Sequence, residues 1–213
     1  MNDLRARVLA EVKKTPSPTR EEYRRRVSAV VLVGAIGATA VFFATGRIVP
    51  GERPMEMILF SVGFALFAAA VLTRLSTGRP GSMLGRSRTV LVTGFVVTAP
   101  LLAIAALFAE WCWHGAATEP VGMNVHSACA ALTLAQGVLP LGAFLVPKRG
   151  SDPVHPVITG AALGMTAGAW SAMMAYLRCP HAASFHCIVA HVGPTLVLAA
   201  VGAVLGWAIL RVK

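Results

Sequence analysis

Six apolar stretches, each about as long as the hydrocarbon core of a bilayer is thick, punctuate this chain. They run roughly over 27–45, 55–75, 89–109, 125–146, 157–176 and 188–210, and none carries Asp, Glu, Lys or Arg in its middle. Only closed hydrogen-bonding structures survive inside lipid, and apolar runs of this length are helices. The expected fold is all-α: a polytopic membrane protein with six transmembrane helices in one bundle. With 56% hydrophobic and only 13% charged residues, the chain lacks the polar surface that a water-soluble domain of 213 residues needs.

The loops orient the bundle. With the N-terminus in the cytoplasm and each stretch crossing once, 16 of the 19 Lys and Arg fall on the cytoplasmic side. Basic residues accumulate there in membrane proteins, so both termini are expected to be cytoplasmic. The same bias accounts for most of the net charge of +10. Anionic lipid is the expected partner of these residues, and no direct nucleic-acid contact is expected. The first apolar run lacks a convincing signal-cleavage site, so it is expected to remain as an anchor.

Two domains follow. Residues 1–26 form a cytosolic basic amphipathic segment, and residues 27–213 form the transmembrane domain. Residues 3–14 read as a short helix with Leu4, Val8, Leu9 and Val12 on one face. Pro16 and Pro18 stop it, and Thr19 with Glu22 fits a capping box opening a second helix that could run into the membrane. Such a segment suits a lipid surface first. Its apolar face, Leu4, Val8, Leu9 and Val12, is also a candidate docking face for a cytosolic partner.

Packing marks recur along the spans. Gly160, Gly164 and Gly168 are spaced by four in the fifth, and Gly202 and Gly206 in the sixth, so these two helices are expected to pack together. Pro100, Pro140 and Pro194 lie inside the third, fourth and sixth. Gln136, the one strongly polar residue deep in the fourth, is expected to hydrogen-bond a neighbouring helix.

The opposite, outer face carries different chemistry. Cys112, Cys129, Cys179 and Cys187 lie at or near it, as do His114, His126, His181, His186 and His191; His155 is on the other side. An oxidising compartment permits disulfides, and four cysteines allow three complete pairings. A staple or a thiol switch is favoured over four apolar fillers. Thiolate and imidazole together suit copper(I) or zinc(II), and His126, His181, His186 and His191 are the candidate nitrogen donors. No tight finger-like pair is present, so a metal site would be assembled across loops.

An enzyme is not expected. The chain has no intramembrane carboxylate, GxSxG, phosphate loop or HExxH. It also lacks CxxC, which weighs against a membrane thiol oxidoreductase. The lack of buried charge argues against an ion-coupled transporter.

The run Leu177-Arg178-Cys179-Pro180, then Phe185, His191 and a Gly/Ala-rich span ending Leu210-Arg211, resembles the C-terminal signature of the NrsF family. The Cys129–Cys179 separation and Pro140 in the fourth span are similar too, and the resemblance covers spans four to six. It implies a bacterial inner-membrane anti-sigma factor, a negative regulator of sigma F type, whose partner is an extracytoplasmic-function sigma factor. The family's two functional outer cysteines would fall on Cys129 and Cys179, as sensor thiols; Cys112 and Cys187 are extra to that pattern. The cytosolic segment would hold the sigma factor, and a change at the outer thiols would release it. The competing reading is a small metal or solute carrier with an outer Cys/His collection site.

Overall fold

The computed structural model describes residues 19–44, 46, 53–77, 86–116, 121–149 and 154–210. Six long helices account for most of them: α1 (Arg20–Ala44), α2 (Met55–Thr77), α3 (Arg88–Cys112), α4 (Met123–Leu145), α5 (Pro156–Arg178) and α6 (Ser184–Leu210). Each is long and apolar enough to cross a membrane, and no strand occurs among the described residues. The expected all-α, six-span architecture is therefore present. Leu4, Val8, Leu9 and Val12 lie outside the described residues.

Where α1 starts follows from its sequence. Thr19 Oγ1 accepts from the Glu22 amide at 3.2 Å, and Glu22 Oε2 accepts from the Thr19 amide at 2.7 Å. This is the expected capping box, satisfying donors that a helix start would leave bare. The helix then continues unbroken past Arg24 and Arg25 into the apolar run. At the same end of the bundle, Lys148 Nζ donates to the Thr77 carbonyl at 2.9 Å and Arg86 Nη2 to the Arg74 carbonyl at 3.2 Å. Both cations cover carbonyls that the end of α2 leaves without helical partners.

α5 is the most buried helix and packs against α2, α3, α4 and α6. Its contact with α6 is glycine on glycine. A Cβ on Gly160 would overlap the Gly202 carbonyl, one on Gly164 the Leu198 carbonyl, and one on Gly206 the Pro156 carbonyl. Against α2, α5 makes a polar seam: Ser76 Oγ lies 2.9 Å from Thr166 Oγ1, and Trp170 Nε1 donates to Thr73 Oγ1 at 3.0 Å. α1 is the least buried helix and leans mainly on α4, where Gly34 meets Ala143.

α6 is not uniform. Its first turn, Ser184–Cys187, passes into a π-helical stretch, Ile188–Val192, before Gly193–Leu205 resumes the α form; Gly206–Leu210 is again π. The first π stretch has a local cause. Pro194 has no amide proton, so the Ala190 carbonyl loses its usual partner four residues on. Thr133 Oγ1 of α4 lies 3.0 Å from that carbonyl, while the Gly193 amide donates to the Ile188 carbonyl, five residues back.

Candidate functional site

One end of the bundle holds the start of α4, the end of α5 and the start of α6. Three side chains from these elements converge there. Ligand atoms of Cys129 on α4, Cys179 just past α5, and His186 in the first turn of α6 all lie within 4.8 Å of one another. Cys179 Sγ is 3.1 Å from His186 Nε2. Cys129 is half-buried, and Cys179 and His186 are buried. All four cysteines are free thiols.

His186 is the hub of an imidazole cluster. Ring centroids of His126, His181 and His191 lie 4.8, 5.2 and 5.3 Å from its own. The hydrogen-bond network shows which ring nitrogen donates in two of them. His126 Nδ1 lies 3.0 Å from the Gly122 carbonyl, which can only accept, so Nδ1 carries the proton. His191 Nδ1 lies 3.2 Å from Thr133 Oγ1. The single Thr133 proton faces the Cys129 and Ala190 carbonyls, at 2.8 and 3.0 Å, so His191 Nδ1 is the donor to the hydroxyl oxygen. That leaves Nε2 of each ring as the nitrogen a ligand would meet. Those two nitrogens, with His186 Nδ1, are buried and meet no hydrogen-bond partner. Unmet buried polar atoms are costly, and three at one place are an unusual concentration.

The same arrangement fits a metal. An imidazole anchored through Nδ1–H, presenting Nε2, is how histidine ligands are usually oriented by their supporting partners. Tetrahedral donors about 2.0–2.3 Å from zinc stand about 3.3–3.8 Å apart, so separations among the three clustered donors, all within 4.8 Å, would change by at most about 1.5 Å. Cys129, Cys179 and His186 would supply the first contacts, with His126 and His191 beside them. A thiolate–imidazole set favours copper(I) and zinc(II).

Outside the spans, two groups show the local electrostatics. The hydrogen bond with Cys129, and burial, hold the Cys179 thiol well above its ordinary range. Burial, then neighbouring His186, holds His181 below the usual imidazole range. For these two groups the surroundings favour the neutral form.

The remaining sequence candidates separate. Cys187, although adjacent to His186, turns into an apolar cluster with Ala65, Leu102, Ala106, Ala172, Tyr176 and Val192. Cys112 is exposed at the end of α3. The bond expected from Gln136 to another helix is not made: its amide nitrogen and oxygen are buried without partners. Thr133 escaped the sequence reading, though it lies one helical turn from Cys129 and so on the same face. Glu110 escaped it too; its carboxylate accepts from the Ser184 amide at 3.0 Å and caps α6. Arg53, buried beside the cluster, donates to the Tyr176 carbonyl at 2.8 Å.

Six membrane-length helices and a buried Cys/His cluster at one bundle end define a multi-pass membrane protein with a candidate soft-ligand site. The profile of the NrsF family, negative regulator of sigma F, matches residues 12–212, nearly the whole chain, and the chain belongs to that family. A sigma factor is the partner that this family implies. No curated protein and no solved structure matches it.

Proposed function

We propose that this protein is a bacterial inner-membrane anti-sigma factor that senses thiol chemistry at its outer face. In this reading the cytosolic N-terminal segment holds an extracytoplasmic-function sigma factor away from RNA polymerase. Release follows when Cys129, Cys179 and His186 take a soft metal ion, or when the two thiols are oxidised to a disulfide. The observation that carries it is the convergence of Cys129, Cys179 and His186 in a chain of the NrsF family. The basic-residue split supports an outward-facing cluster and cytoplasmic termini. The protein acts by binding, with no catalytic residue.

The physical requirement is a bundle with two arrangements, biased from both ends. Drawing Cys129 and Cys179 together pulls α4 towards α5 at one end. Such a shift is useful only if it reaches the cytosolic segment. A carrier reading is less well supported, because a carrier needs ligands continuing across the bundle. The buried Cys and His among the described residues gather at one end.

The test is a pull-down of the sigma factor on the full-length membrane protein. Leu9→Asp places a charge on the docking face and should release the partner while abundance stays normal. Cys129→Ser should keep the partner bound and abolish release by zinc(II), copper(I) or a thiol oxidant. Unchanged retention in Leu9→Asp removes residues 4–12 as the docking face. Unchanged release in Cys129→Ser removes the cluster as the sensor.

A further inference from the structure

α1 is the helix that leads from the cysteine end of the bundle to the chain's N-terminal segment, and it is held lightly. Ala38 and Phe42 are its buried apolar residues among the described side chains. Midway it touches α4, where a Cβ on Gly34 would come 2.6 Å from Ala143 Cβ. At its cysteine end a side chain from α5 grips it. Arg178 Nη2 donates to the Phe42 carbonyl, and the guanidinium carbon sits 4.5 Å over the Phe42 ring. That carbonyl is among the last four of α1, which have no partner within the helix. Gly46 passes so close that a Cβ there would stand 3.3 Å from Arg178 Nε.

Arg178 is also the last residue of α5, bonded directly to Cys179. Its backbone therefore moves with the thiol, and its side chain holds α1. A planar guanidinium fixed by a hydrogen bond and a ring face has little freedom to slip.

We propose that Arg178 is the coupling residue of this protein: its grip on Phe42 carries a displacement at Cys179 into α1, and so to the segment that α1 leads into. α1 is unbroken over 25 residues, about 37 Å at helical rise, and a rigid rod of that length delivers a push at one end to the other. Its light packing lets it respond, since few contacts must be remade. This inference rests on the sensing role given above to Cys129 and Cys179. It adds what that role lacks, a physical connection between the thiol end of α5 and α1.

The full-length protein in lipid nanodiscs tests it, with spin labels attached through unnatural amino acids at exposed Val33 on α1 and Val204 on α6, leaving the cysteines untouched. Saturating zinc(II) should shift the label separation by about 1–2 Å in the parent protein. Arg178→Gln should abolish that shift while zinc(II) binding, followed by calorimetry, is kept. The same shift in Arg178→Gln, or none in the parent, overturns the proposal. If Arg178→Gln does not fold, Phe42→Leu removes the ring under the guanidinium and should reduce the shift; an undiminished shift overturns it equally. A sigma-dependent reporter run alongside separates the two claims. An Arg178-dependent shift with an unresponsive reporter supports the coupling and sinks the sensing role.

Discussion

Cys179 Sγ stands 3.1 Å from Nε2 of His186, across the break between α5 and α6 and seven residues along the chain. With Cys129 beside them, the pair closes a donor set drawn from three helices. A ligand there would bind helix ends together, which is why the site matters for the whole bundle.

The two thiols should act as one unit. Cys129→Ser and Cys179→Ser are each expected to weaken zinc(II) binding by at least tenfold, and the double variant should be no worse than the stronger single. Both changes remove the same multidentate interaction, so their effects cannot add. Isothermal titration on the detergent-solubilised protein reads this directly. Fully additive losses would mean two separate sites.

Thr133 should tune the site without touching the metal. Thr133→Val removes the hydroxyl that meets His191 Nδ1 and the Ala190 carbonyl. Losing such a supporting contact typically costs 10–100-fold in metal affinity. An affinity equal to the parent's would mean that His191 is not a fourth donor beside Cys129, Cys179 and His186.

The four cysteines should differ in reactivity. Cys112 is exposed, whereas Cys179 and Cys187 are buried and the Cys179 thiol is held protonated by its bond with Cys129 and by burial. A membrane-impermeant maleimide applied to intact cells should modify Cys112 within minutes and leave Cys179 and Cys187 unmodified until denaturation. Reaction at Cys112 also reports an outward-facing cysteine end. Mass spectrometry of the labelled peptides gives the order.

The α5–α6 contact should tolerate no side chain. At Gly164 a Cβ would overlap backbone rather than a mobile side chain, so Gly164→Ala should cost about 1–3 kcal/mol by forcing the helices apart. At Gly63 nothing lies within 4 Å of that position, and Gly63→Ala should be neutral or slightly stabilising. Thermal melts of the two variants in one detergent compare them.

Much of this fold could be read from the chain because lipid imposes a length on each apolar run. The spans were placed to within a few residues, and the glycine spacing in 160–168 and 202–206 identified the α5–α6 contact. The Thr19–Glu22 cap was legible because it is local. The site was legible only in part. Its cysteines and histidines were visible, but which of them turn together depends on where α6 begins. Once Ser184 opens the helix, His186 and Cys187 lie about 100° apart, one facing the cluster and the other an apolar core. Arg53 and Arg178 are two of the three basic residues that the expected topology leaves off the cytoplasmic side. Each donates to a backbone carbonyl of another segment. Their partners lie more than a hundred residues away, beyond any local pattern. Gln136 was misjudged because a polar residue in a span implies a need for a partner and does not supply one.

The most direct measurement is sigma-factor retention on the purified full-length protein as zinc(II) is titrated in, for the parent and for Cys129→Ser with Cys179→Ser. The expected result is release from the parent over the same concentration range in which zinc(II) binds, and full retention by the double variant. Release that is identical in both, or retention by the parent at saturating zinc(II) and equally after oxidation of its thiols, would contradict a thiol cluster that governs the sigma factor.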